Sequence, residues 1–183
     1  MGREDDGDTK VYTYRSKKDM KLFTGKIKIV NKQDFPAGSE MADKGLLEVK
    51  NGLLNGEVIA FYPPASTARK YREHYKDGLL DGECIYYNIP GAVEARRIYK
   101  NGRLMEEKTY DTESRKLSIH LIYSETDKRA YREIDYYPNG KVKSDHHLKD
   151  FGGMLKHGRC IDYDETGRIV EDAVYHRGKI KKQ

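Results

Sequence analysis

Two cysteines, six histidines and 30 aspartates and glutamates are the obvious reactive side chains of this 183-residue chain, and their spacing limits what they can do. Cys84 stands in Gly-Glu-Cys-Ile and Cys160 in Gly-Arg-Cys-Ile, with no Cys-x-x-Cys anywhere. His146-His147 is the one adjacent histidine pair, and there is no His-Glu-x-x-His run. Consecutive strand residues face opposite sides, so such a pair cannot grip one ion and no metal is expected. His74, His120, His157 and His176 are scattered and read as surface or packing residues. Nucleophilic catalysis lacks its signatures too: no Gly-x-Ser-x-Gly, and no phosphate-binding glycine loop before a helix. The carboxylates of Glu106-Glu107, Asp162/Asp164 and Glu171-Asp172 read as solvated positions. The expectation is a chain with no catalytic residues and no cofactor, hence not an enzyme.

These residues are carried by a repeat. Gly52-Leu53-Leu54-Asn55-Gly56-Glu57-Val58-Ile59 returns as Gly78-Leu79-Leu80-Asp81-Gly82-Glu83-Cys84-Ile85, and more loosely from Gly153 through Gly158 to Ile161. One anchor series, Val49, Tyr75, Tyr99, Tyr123, Leu148 and Tyr175, steps by 26, 24, 24, 25 and 27 residues. A second, Val30, Phe61, Tyr87, Tyr110, Tyr136 and Tyr163, steps by 31, 26, 23, 26 and 27. Two interleaved series of one period mean two elements per unit. The elements are strands, because Asn-Gly and Asp-Gly at Gly52, Gly78, Gly102 and Gly140 supply the positive φ of tight hairpin turns between runs of period two. The pairs Ile59/Phe61, Ile85/Tyr87, Ile134/Tyr136 and Ile161/Tyr163 are expected on the apolar face of the first strand of each unit. The returning strands are expected to offer Leu47/Val49, Tyr71/Tyr75, Ala95/Tyr99, Leu117/Ile119/Leu121/Tyr123, Val142/Leu148 and Ile169/Ala173/Tyr175.

The predicted fold is all-β: an elongated, twisted single antiparallel sheet of about six stacked β-hairpins over residues 20–183, after a tail and capping strand in residues 1–19, with that strand near Val11 to Tyr14. The first hairpin breaks the rule, since Asn31 to Lys44 is a long connection and Ile27/Ile29 fall out of register with the later pairs. Equivalent positions three units apart put Cys84 and Cys160 on the order of 30 Å apart, so no disulfide is expected between them. Two free thiols fit a reducing compartment.

Composition agrees with a thin core. Hydrophobic residues make up 37% and charged ones 36%, tryptophan is absent, and tyrosine outnumbers phenylalanine 15 to 4, with a mean hydropathy of -0.91. Such a chain does not build a compact α/β enzyme core, while the regular period argues against disorder. No apolar run suits a membrane helix or a signal peptide, and a cytoplasmic location is expected, an exported form with its leader removed being the alternative. The net charge of +5 comes from 35 lysines and arginines interleaved with 30 acids, which argues against a nucleic-acid groove.

With Gly-Leu-Leu-Asp-Gly-Glu-Cys-Ile-Tyr-Tyr, Tyr-Lys-Asn-Gly and Tyr-Tyr-Pro-Asn-Gly in view, the chain resembles bacterial MORN-repeat variant proteins, whose unit reads roughly Gly-Lys-Leu-Asp-Gly-Glu-x-x-x-Tyr-Tyr-x-Asn-Gly-x-Leu. The likeness spans nearly all of residues 20–180 and is weakest over Met105 to Arg129. Gly56, Gly82 and Gly158, with Phe61, Tyr75, Tyr87, Tyr99, Tyr136, Tyr163 and Tyr175, are the repeat-defining positions beside the turn glycines. The resemblance extends to the YwqK-type antitoxin family and implies protein binding without catalysis, with a toxin as partner in a toxin-antitoxin system. The alternative is a module for membrane lipid or another anionic surface. Tyr62, Tyr86 and Tyr137, read as lying off the buried row, are the expected partner-binding residues.

Overall fold

A computed structural model describes residues 13–29, 44–63 and 67–181. Among these the regular elements are all β-strands, and the fold is an open antiparallel sheet whose strands follow chain order. The chain divides into two compact units, residues 4–103 and residues from Leu104 onward. The first holds β1 (Gly25–Ile29), β2 (Lys44–Lys50), β3 (Leu53–Phe61), β4 (Arg69–Lys76), the short β5 (Leu79–Leu80), β6 (Gly82–Tyr87) and β7 (Val93–Lys100). The second holds β8 (Arg103–Tyr110, beginning one residue ahead of it), β9 (Leu117–Tyr123), β10 (Ala130–Tyr136), β11 (Val142–Asp150), β12 (Met154–Tyr163), β13 (Ile169–His176) and β14 (Lys179–Ile180).

Two kinds of glycine make the hairpins. Asn51-Gly52, Asp77-Gly78 and Asn101-Gly102 each pair a φ of 50–51° with one of 78–85°, the two positive values of a type I′ turn. The second glycine of each copy does something else. Leu47 faces Val58 and Val49 faces Leu54, so β3 carries extra residues there, and Gly56 sits among them with φ 110°. A Cβ on Gly56 would meet the Glu48 side chain, 3.1 Å from its Cβ. In the same way His146 faces Cys160 and Leu148 faces Lys156, around Gly158.

A further irregularity recurs five times. Phe61, Tyr87, Tyr110, Tyr136 and Tyr163 each lie where the returning strand gains one unpaired residue, namely Lys70, Glu94, Ser118, Lys143 and Val170. From Phe61 onward the second anchor series therefore marks β-bulges, which bend the strand and increase its twist.

The core of the first unit corrects the expected faces. Ile29, Leu47, Val49, Leu54, Val58, Ala60 and Tyr71 form the buried cluster, with Tyr14, Phe23, Ile27, Tyr75 and Tyr86 packed against it. Val58 and Ala60 thus point inward, whereas Ile59 pairs with Arg72 and Phe61 with Arg69 on the opposite face. Aliphatic residues occupy both sides of β3, so its alternation alone misleads. The same offset brings Ile27 and Ile29 into phase: they face Leu47 and Gly45, on the buried side. The predicted capping strand lies partly outside the described residues. Thr13 and Tyr14 are not in a strand; Tyr14 donates its N–H to Gly52 O, and Gly52 donates to Phe23 O. Val30 and the connection from Asn31 to Asp43 also lie outside the described residues.

Candidate functional site

Alternation along β4 sends Tyr71, Glu73 and Tyr75 to the inner face, and register brings β6 and β7 alongside. Glu73 faces Val58, Tyr71 faces Tyr86, and Cys84 faces Arg97 while Gly82 faces Tyr99. The Tyr75 hydroxyl donates to Glu73 Oε2 at 3.0 Å and the Tyr86 hydroxyl to Oε1 at 2.9 Å. The Arg97 guanidinium lies 4.6 Å from the centre of the Tyr86 ring. Desolvation raises the Glu73 carboxyl above its ordinary range, against the pull of the two tyrosine hydrogen bonds and of Arg97. Burial also pushes the Tyr75 and Tyr86 phenols upward, and the Cys84 thiol to about 11.

Carboxyl, phenol and thiol so close together invite a catalytic reading, but their protonation states do not favour it. A thiol held up to about 11 is not a thiolate near neutrality, and Cys84 has no accessible surface for a substrate to reach. One tyrosine hydroxyl on each carboxyl oxygen fixes Glu73 in place rather than freeing it as a base. The group is a polar knot inside an apolar face, satisfied by its own hydrogen bonds. Sequence reasoning passed over Glu73, although a signal existed: it is the acid in Tyr71-Arg72-Glu73-His74-Tyr75, inside the row assigned to the apolar face.

The three tyrosines expected to meet a partner are placed differently. Tyr86 is not off the buried row; it packs against the core and the Glu73 knot. Cys84 and Tyr86 continue the inner face, while Ile85 lies on the other face opposite Arg72 and Arg96, where it is nonetheless buried, as are Ile134 and Ile161 of the same expected row. Tyr62 and Tyr137 are half-buried at hairpin ends, and each hydroxyl reaches one unit onward. Tyr62 donates to Tyr87 O, and Tyr137 donates to Tyr163 O at 2.8 Å. Where the same position is Asn88, Asp111 or Asp164, the side chain instead caps its own loop, accepting from the N–H of Ala92, Ser114 and Thr166 respectively.

The carboxylates read as solvated are mostly engaged. On the outer face of the first unit Arg72 lies between Glu57 and Glu83, and Arg96 meets Glu83 at 2.7 Å. The second unit repeats the device with Arg132–Asp145 and Arg159–Asp172. Glu106 holds both Lys108 and His120. His146 meets Asp162 at 2.9 Å, while His147, on the other face, packs near Gly158. Cys84 and Cys160 are free and buried. Among the described residues no group of three or more His, Cys, Asp or Glu is placed to hold a metal ion.

A second concentration of side chains lies in the unit beginning at Leu104. Phe151, His157 and His176 form a run of rings with centres 5.2 and 5.0 Å apart. Arg177 stands 4.9 Å and Lys149 5.5 Å from the Phe151 centre. Desolvation, followed by the charges of His176, Lys149 and Arg177, lowers the His157 imidazole below its ordinary value.

Comparison with known proteins agrees with the hairpin architecture. The family model for the MORN repeat variant matches residues 132–150, a span that runs from within β10 to the end of β11. No curated protein and no solved structure gives a match to the chain.

Proposed function

We propose that this protein is a non-catalytic interaction module that binds another protein on its hairpin sheet, and that the partner is a bacterial toxin which the complex neutralises in the cytoplasm. The match to a repeat used generally for protein or membrane interaction supports the first part. The observation that carries it is the exposed apolar surface of β13. Ile169, Val170 and Val174 of β13 are 57%, 70% and 47% exposed, and Ile169 and Val174 face Tyr163 and Arg159 on the outer side of the sheet. Scattered exposed aliphatics are ordinary, but three along one strand offer a patch that a partner would dry. A preformed sheet also binds at little ordering cost.

The experiment is coexpression of the tagged chain with the product of its neighbouring gene. A stoichiometric complex, weakened when Val170 and Val174 are both replaced by lysine, and loss of the neighbour's toxicity, are the expected results. A folded chain that recovers no protein from its own lysate and relieves no toxicity would sink the reading.

A further inference from the structure

The ring and cation cluster of the second unit is tied to the hairpins by one long hydrogen bond, from the Arg177 N–H to His157 Nδ1 at 3.4 Å, and its remaining charges are arranged to receive something. It is assembled from three strands and their turns: Lys149 is next to last in β11, Phe151 lies in the following turn, Leu155 and His157 are in the first part of β12, and His176 ends β13 with Arg177 directly after it. Register puts Lys149 opposite Leu155, and Leu155 packs on Gly178. Lys149, Leu155, His157 and His176 therefore share the outer face. The charged groups around His157 are Lys149, His176 and Arg177 and a single acid, Asp127 from the β9–β10 turn. That acid is already engaged by Lys149 and Arg129. Four cationic or protonatable groups thus stand around one compensated carboxylate, beside an apolar ring and an aliphatic side chain that is 37% exposed.

We propose that this corner docks an acidic, partly apolar segment of the protein partner, its carboxylates meeting Arg177, His176 and His157 and its apolar side chains covering Phe151 and Leu155. The proposal rests on the interaction reading above and names the surface and the partner's chemistry. Charge complementarity selects the occupant. The rest of the outer face carries Asp145 and Asp172, each already paired with an arginine, so a duplex backbone or a flat anionic membrane would find no continuing run of unpaired cations there, whereas a short acidic segment need only meet the corner. The exposed leucine and the phenylalanine ring also suit a polypeptide better than a bare anion.

Protonation couples to docking. The cations that disfavour a proton on His157 are those a bound carboxylate would neutralise, so proton and acidic segment each strengthen the other's binding. The affinity therefore rises as the pH falls through the histidine range.

The test is fluorescence anisotropy of a labelled peptide of alternating glutamate and leucine, titrated with the whole chain. The expected result is binding about ten-fold tighter near pH 6 than near pH 8, and lost in the double variant His176→Gln, Arg177→Asn. Asparagine is chosen because residue 177 has φ 49°, which asparagine tolerates. An unchanged circular dichroism melt confirms that the variant folds. Peptide binding that ignores pH, or that survives the double substitution, overturns the proposal. So does tighter binding of duplex DNA or of phosphatidylserine vesicles than of the peptide, lost in the same variant. A copurified partner retained at full affinity by the double variant overturns this site and leaves the interaction reading standing, whereas failure to recover any partner tells against that reading instead.

Discussion

Glu73 shows how an acid can belong to a core without doing acid chemistry. Because burial raises its carboxyl above the ordinary value of 4.5, the folded chain holds that proton more tightly than the unfolded chain does. Its contribution to stability is therefore gained as pH falls through the raised value, complete below the unfolded one, and absent at neutral pH, where the ionised form costs stability. Glu73→Gln should leave the protein at least as stable as the parent at pH 7, and should remove part of the parent's relative gain on acidification, measured by urea unfolding at both pH values. Glu73→Ala should cost about 1 kcal/mol or more at pH 7, because the Tyr75 and Tyr86 hydroxyls lose their acceptor. At Cys84 the neighbouring chemistry is equally mute. With its thiol pushed up to about 11, it should react with a disulfide reagent at pH 8 only after denaturant is added. Cys84→Val, which copies Val58 of the preceding repeat, should change stability by less than about 1 kcal/mol.

Strands and turns obey a stricter code than the side chains between them. Gly56→Ala combines a φ of 110° with a Cβ 3.1 Å from Glu48 Cβ, and should cost about 2 kcal/mol or more in thermal or urea unfolding, mainly through the backbone. Gly153→Ala meets nothing within 4 Å and serves as the neutral control. Tyr137→Phe removes only the hydroxyl that reaches Tyr163 O; a loss of about 1 kcal/mol is expected, with faster amide exchange in the β12–β13 loop. The hairpins themselves were legible because Asn-Gly and Asp-Gly leave few other backbone choices. Faces were not, since β3 and β6 carry apolar residues on both sides and Ile59 and Ile85 outweigh Val58 and Cys84 in size. The work of Tyr62 and Tyr137 could not be read either: the acceptor of each is a main-chain carbonyl in a later hairpin, which leaves no trace in side-chain pattern. Nor does spacing reveal the corner at His157, whose members come from three separate elements.

For the whole molecule, stability built from hairpins and the contacts between neighbours should respond to length in steps. Removing residues 78–101 joins Asp77 to Gly102 and so rebuilds an Asp-Gly turn; the shortened chain should still melt cooperatively, at a lower temperature, when followed by circular dichroism. Deleting Gly82 alone should do more harm, because a one-residue slip sends every following inner side chain of its strand to the other face. The five bulges at Phe61, Tyr87, Tyr110, Tyr136 and Tyr163 carry this logic into descent. Each marks the same phase of the hairpin, so a crossover between any two of them in the gene preserves phase, and the lineage can vary the number of hairpins while each keeps its own geometry.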